Sequence, residues 1–267
     1  MAVLDTELAV EVSGDGEPLV VIQTALDVDE LRPLATRLGA GGRHRVVQYH
    51  RRGYGASPRS GASARGVADE AADCAALLGE LALGPAHVVG ASYSAAIALT
   101  FAADFPDLVR SLVVMEPPPT HVPSSSEFLA ANANLLETYE AEGPAAALDE
   151  LQTLLVGPGW RAASERERPG SVRDLERDAE TFFSSDVPAL VRWSFGREDA
   201  DRVRCPVIHI GGSESGPWFA EVRTWVHDLL PHAEGAVVGG AGHALAWSHA
   251  DQVAALVVDF LDRRAAT

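Results

Sequence analysis

The sequence predicts an α/β protein: one mostly parallel sheet with helices on both faces and a helical insertion late in the chain. Three observations predict it. Short apolar runs of strand length alternate with amphipathic helical patterns along most of the 267 residues, as parallel strands joined by helical crossovers require. The alternation stops between residues 117 and 204, where only helical patterns occur, and resumes at Pro206. Residues 86–100, AHVVGASYSAAIALT, pass from apolar strand to Ala-rich helix through a turn of small side chains. On these grounds residues 1–116 and 205–267 form the core, and 117–204 form a helical cap inserted into it.

Residues 2–12 and 18–23 read as strands, with Ser13-Gly14-Asp15-Gly16 as the turn between them. Leu19-Val20-Val21-Ile22 is a continuous apolar run, suited to a strand buried on both faces. Asp27 reads as an N-cap with Glu30 closing a capping box, on a helix that carries Leu31, Leu34 and Leu38. Residues 45–50 form the next strand. Residues 66–82 form an amphipathic helix with Val67, Ala71, Cys74, Leu77, Leu78 and Leu81 at helical spacing. Strand 87–90 and its helix follow, then strand 109–115, closed by Glu116.

Within the insertion, Leu129, Leu135, Leu136 and Tyr139 mark one helix, and Pro144 opens a second. Ser171 caps a third. Asp186 and Pro188 open a fourth as N-cap and N1. Residues 157–159 and 161–170 read as solvated loop. Beyond it come strand 207–210, a helix carrying Trp218, Val222 and Trp225, strand 236–238, and a last helix carrying Val253, Val257 and Phe260.

The formal charge of −17 argues against nucleic acid or an anionic membrane as partner and leaves a small molecule. No apolar run reaches the roughly 18 residues of a membrane span. The N-terminal stretch is acidic and lacks a basic n-region, so a cytoplasmic protein is expected. Cys74 and Cys205 lie far apart in sequence and are expected to be reduced structural thiols. No His-Glu-x-x-His, zinc-ligand spacing or Gly-x-Gly-x-x-Gly after a strand occurs, so neither metal nor cofactor is expected.

Gly90-Ala91-Ser92-Tyr93-Ser94 is a small-x-Ser-x-small pattern between strand and helix. Such a turn is tight and projects the serine Oγ above the sheet. Helix and strand backbones crowd there, so Gly90 and Ser94 must be small. The helix N-terminus behind Ser92 offers free N–H groups to a developing oxyanion. A serine needs a base within hydrogen-bond reach. His243 is the best candidate, on Gly239-Gly240-Ala241-Gly242-His243-Ala244 between the last strand and the last helix. His44, His121, His227, His232 and His249 read as loop or surface positions, and His87 and His209 as structural.

The serine turn resembles the nucleophile elbow of the α/β-hydrolase superfamily, whose motif is Gly-x-Ser-x-Gly; Ser94 departs at the last position. The Gly-His after the last strand is similar to the family's catalytic histidine segment. His50-Arg51-Arg52-Gly53-Tyr54-Gly55-Ala56-Ser57 resembles the family's Asp-Arg-Arg-Gly-x-Gly-x-Ser turn, with His50 in place of Asp, and reads as structural. The resemblance covers nearly the whole core. It implies an eight-stranded sheet with a cap after the sixth strand, over the strand ends where such sheets bind ligands. It also implies a serine hydrolase in which Ser92 attacks an ester or lactone carbonyl and His243 takes the proton.

The resemblance implies two places for the acid that orients His243. Most relatives carry an Asp after strand seven, where Ser215 stands here and Glu214 lies one residue early. Haloalkane dehalogenases and zearalenone-lactonase-like hydrolases instead carry a Glu at the end of strand six, 24 residues after the nucleophile, and Glu116 follows Ser92 by 24. Glu116 is favoured over Glu214. Dehalogenase chemistry uses a carboxylate nucleophile, which this elbow lacks. The oxyanion donors implied are the backbone N–H groups of Tyr93 and Ala25, the latter in Gln23-Thr24-Ala25 where the family has His-Gly-x. Thioester and amide substrates stay open, as does a homodimer. The departures at Gln23, Thr24, His50 and Ser94 keep a second reading open: a non-hydrolytic receptor, lyase or cyclase.

Overall fold

The computed structural model describes residues 2–3, 6–59, 65–155 and 157–265. β1 (Ala2–Val3) and β2 (Thr6–Glu7) form a short antiparallel pair. β3 (Val10–Ser13), β4 (Glu17–Ile22), β5 (His44–Tyr49), β6 (Ala86–Ala91), β7 (Val109–Met115), β8 (Val207–Gly212) and β9 (Glu234–Val238) form one sheet in the order β3-β5-β4-β6-β7-β8-β9. Only β3 runs antiparallel to its neighbour. The main sheet thus has seven described strands against the family's eight. The strand expected over residues 2–12 is broken into three pieces. Leu8 turns into the core there, and Ala9 leaves the ladder: its N–H donates to Ser57 Oγ at 2.9 Å and its carbonyl accepts the His50 N–H at 2.9 Å.

The central strands carry continuous apolar runs, Leu19–Ile22 of β4 and Leu112–Met115 of β7, because they are covered twice. Val20 and Ile22 of β4 join Val88, Leu112 and Val114 in one core, beneath helices Val67–Glu80 and Tyr93–Asp104. Leu19 and Val21 join Val89, Val113 and Met115 in the other, with helices Arg32–Ala40 and Ala250–Ala265. Successive side chains of a strand point to opposite faces, so one continuous run feeds both layers.

Two expected helix starts are corrected, and a third keeps its place without its cap hydrogen bond. The first helix begins at Arg32, with Leu31 at the N-cap and a proline in its first turn. The Asp27/Glu30 capping box does not form. Leu26 has a left-handed φ of 62°, and Asp27 Oδ1 accepts the Asp29 N–H at 2.9 Å, which closes a local turn instead. Ser171 is the first helical residue after a left-handed Gly170, not the cap. Asp186 does stand at the N-cap position of helix Val187–Arg192, but its side chain makes no cap hydrogen bond; its carboxylate binds Arg51 and Tyr54 instead. His44, expected at the surface, is buried at the start of β5, edge-on to His87.

Between β7 and β8 the described residues form helices Ser125–Glu142, Pro144–Leu155, Trp160–Glu167 and Ser171–Thr181, a π-helical turn Phe182–Asp186, and helices Val187–Arg192 and Arg197–Ala200. Helix Trp160–Glu167 occupies much of the stretch expected as loop. Apart from two alanines its other residues are polar, and it is anchored by buried Trp160, whose indole N–H donates to Asp149 Oδ1 at 3.0 Å. This insert has an apolar cluster of its own, including Leu148, Trp160, Leu175 and Phe183, which Leu26 of the sheet layer joins. Cys74 and Cys205 are free and buried. Among the described residues, no helix is long and apolar enough to cross a membrane.

Candidate active site

Parallel register brings the key residues together. β6 and β7 pair Ala91 with Met115, so the next residues, Ser92 and Glu116, leave the sheet side by side. The Ser92 N–H donates to the Met115 carbonyl at 2.9 Å. Both residues turn sharply there, with φ of 51° at Ser92 and 45° at Glu116. L-residues rarely hold this conformation unless the surroundings impose it. Crowding at the elbow is the reason Gly90 has no side chain: a Cβ there would stand 2.3 Å from the Ser94 carbonyl oxygen.

His243 arrives on the loop after β9. Its Nε2 lies 3.0 Å from Ser92 Oγ and its Nδ1 lies 2.8 Å from Glu116 Oε2. The other carboxylate oxygen of Glu116 accepts the Gly212 N–H at 2.7 Å. Burial pushes the Glu116 carboxyl up, but the hydrogen bond and charge of His243, together with Ser215 and the Gly212 N–H, hold it below the usual carboxylate range. Phe219 stacks on the imidazole with ring centroids 4.2 Å apart. The arrangement can move a proton from the serine hydroxyl to an imidazole whose other nitrogen is fixed by a carboxylate.

The loop after β8 does not carry the partner of His243. Glu214 is exposed, and its N–H donates to the Ala241 carbonyl at 2.8 Å. The Gly240 N–H donates to Ser213 Oγ at 2.8 Å. A Cβ at Gly212 would stand 2.2 Å from the Ala241 oxygen. These contacts fasten the histidine loop to the end of β8.

Two departures from the family pattern meet at one atom. Ser94 Oγ accepts the Ala91 N–H at 2.9 Å and donates to the Ala91 carbonyl at 3.0 Å. Thr24 Oγ1 donates to the same carbonyl at 2.8 Å. The loop before Ala25 is thereby tied to the elbow strand. Tyr93 is the first helical residue, so its N–H has no carbonyl one turn back to bind. His50 accepts the Ala56 N–H on Nδ1 at 3.2 Å and fills the space over Gly55, a structural role.

Several residues near the site escaped the sequence reading. Phe219 lies on helix Pro217–Leu229, whose periodicity does not say which aromatic meets the histidine. Glu30, read as a capping residue, has its carboxyl pushed up to about 7 by burial, an effect that the charge of His243 tempers. Arg51 is buried behind the Ala25 loop and pairs with Asp186 of the insert. His209 is buried beside Glu116, with neither ring nitrogen hydrogen-bonded, and burial lowers its pKa to about 4. Among the described residues, no group of three or more His, Cys, Asp or Glu could hold a metal ion.

Fold and site together define an α/β-hydrolase architecture. Residues 25–256 match the model of the alpha/beta hydrolase family, and the chain belongs to that family. A protein of Escherichia coli O6:H1, provisionally named carbamate hydrolase RutD, is 28% identical over 210 residues, which are 75% of this chain and 72% of that protein. An alpha/beta hydrolase of Sphaerobacter thermophilus is 27% identical, with a TM-score of 0.76 over 98% of this chain and 99% of its own. The enol-lactonase of Burkholderia xenovorans LB400 has a TM-score of 0.78 at 21% identity, over 98% of this chain and 99% of its own, a likeness of fold.

Proposed function

We propose that the chain is a serine-dependent hydrolase of an ester or lactone bond in a small, largely apolar molecule. The observation that carries this reading is the hydrogen-bonded line from Ser92 Oγ through His243 to Glu116, at 3.0 and 2.8 Å. Ser92 Oγ attacks the carbonyl carbon as its proton passes to His243 Nε2. Glu116 holds the Nδ1 proton in place and stabilises the imidazolium. The Tyr93 and Ala25 N–H groups receive the oxyanion. The tetrahedral intermediate then expels the alcohol, which takes the proton from His243. Water, activated by the same imidazole, cleaves the acyl-enzyme. Residues 117–204 act as the cap that selects the substrate. Family membership and the hydrolytic names of the relatives support the reading, and the RutD name extends the acyl class to carbamates.

Hydrolysis of short-chain and medium-chain p-nitrophenyl esters by wild type and Ser92→Ala tests it, with a fluorophosphonate label located by mass spectrometry. The expected result is a label on Ser92 and a loss of kcat in the variant of roughly 10³-fold or more. Absence of both turnover and label in the wild type would overturn it in favour of a small-molecule receptor.

A further inference from the structure

We infer that Arg51 is a positioning residue: it fixes the peptide that carries the Ala25 N–H, and Asp186 of the helical insert fixes Arg51. The inference rests on the reading of Ala25 as an oxyanion donor. It makes that donor's orientation depend on how the insert sits.

The register of the sheet sets up the contact. β4 and β5 pair Ile22 with Tyr49, so the chains beyond them run on side by side and bring Arg51 next to Gln23 and Thr24. The Arg51 guanidinium has no exposed surface. Its Nε donates to the Gln23 carbonyl at 3.0 Å and its Nη2 to the Thr24 carbonyl at 3.2 Å. In return, the Arg51 N–H donates to Gln23 Oε1 at 2.7 Å. The Thr24 carbonyl and the Ala25 N–H belong to one planar trans peptide, so they point in opposite directions. Holding that carbonyl against Arg51 therefore turns the Ala25 N–H away from Arg51. Rotation of the peptide would take the N–H out of position and put the carbonyl there instead. Arg51 also reaches the other proposed donor residue, since its guanidinium carbon lies 4.8 Å from the centre of the Tyr93 ring.

The other edge of the guanidinium faces the insert, with Glu70 Oε1 of helix Val67–Glu80 3.6 Å from Nη1. Asp186 takes Nη1 at 3.1 Å and Nη2 at 2.5 Å, and also accepts Tyr54 O–H at 2.6 Å. Nη2 is thus shared between the Asp186 carboxylate and the Thr24 carbonyl. Asp186 closes a π-helical turn, a local irregularity found frequently at functional positions. A second strap reaches the same loop from the same insert. Arg168 donates to both carboxylate oxygens of Asp27 at 2.9 Å, and the Asp27 N–H donates to the Ala25 carbonyl at 2.8 Å. Both peptides flanking Ala25 are therefore connected to the insert.

Asp186→Asn and Arg51→Lys test this, with Asp73→Asn as control. Asp73 is equally buried, and its carboxylate holds Arg52 and Arg65 of the core. We expect Asp186→Asn and Arg51→Lys to lower kcat on p-nitrophenyl butyrate about 10-fold to 100-fold, with KM within threefold, because a misplaced oxyanion donor acts on the transition state. Affinity for a boronic acid that forms a tetrahedral adduct should fall by a similar factor. Hydrogen–deuterium exchange of a peptide spanning residues 23–27 should rise, while Asp73→Asn lowers the melting temperature and leaves all three readouts in place. Should either variant fail to fold, Arg51→Met/Asp186→Leu removes both members of the pair together and leaves buried Glu70, 3.6 Å from Arg51, to Arg65 at 4.0 Å.

Unchanged kcat and unchanged exchange in the Arg51 and Asp186 variants would overturn the inference. So would an equal response in Asp73→Asn. Failure of wild type to turn over would instead strike at the proposed function, and the exchange measurement would still decide the role of Arg51.

Discussion

Glu116 and Glu214 differ in what surrounds their carboxylates. Glu116 is 1% exposed and holds both His243 and the Gly212 N–H, while Glu214 faces solvent. A carboxylate orients an imidazole only when it is itself fixed and in contact, so the two residues should respond differently to the same change. Glu116→Gln is expected to lower kcat by roughly 10²-fold to 10⁴-fold, since a neutral amide neither holds the tautomer nor stabilises the imidazolium. Glu214→Gln should stay within twofold. Steady-state kinetics on one p-nitrophenyl ester compare them. A large loss in Glu214→Gln with little in Glu116→Gln would put the acid in the loop after β8.

At the scale of elements, the strand–turn–helix around Ser92 was legible because its apolar run, its small residues and its helix are adjacent in sequence. β7 was read at its observed bounds for the same reason: seven residues, buried at all but one position, closed by a charge. Gly90 carries the steric half of the elbow. Gly90→Ala places a methyl 2.3 Å from the Ser94 oxygen and 2.9 Å from Ala98 Cβ, and the strand and helix must part to admit it. The expected cost is about 1–3 kcal/mol, read by urea unfolding, together with reduced labelling of Ser92. Unchanged stability would mean that the elbow yields more readily than its packing implies. Helix Trp160–Glu167 was illegible because one tryptophan, not an apolar stripe, holds it. The Arg51–Asp186 pair was illegible because 135 residues separate its members and only the fold brings them together. The turn containing Arg51 was read as a fold feature, and its contact with the Ala25 loop needed strand register.

For the whole molecule, a fully buried histidine and a half-buried glutamate contribute to the response to pH in opposite senses. His209 is fully buried and its pKa is lowered to about 4, chiefly by burial, from an ordinary 6.5. As pH falls below about 6.5, the unfolded chain binds a proton at this residue and the folded chain does not. Folding stability from His209 is therefore complete above that value and is lost progressively down to about pH 4, by about 3 kcal/mol in all. Glu30 acts the other way. Burial raises its pKa from 4.5 to about 7, so the folded chain takes up a proton first and gains stability as pH falls through that range. Urea unfolding at pH 7.5 and pH 4.5 separates the two. Relative to wild type, His209→Leu should retain more stability at the lower pH, and Glu30→Gln should retain less. His209→Leu should also be more stable at pH 7.5, because two buried ring nitrogens without partners are removed. Parallel pH profiles for His209→Leu and wild type would mean that the ring is protonated, or reaches a partner, in the folded protein.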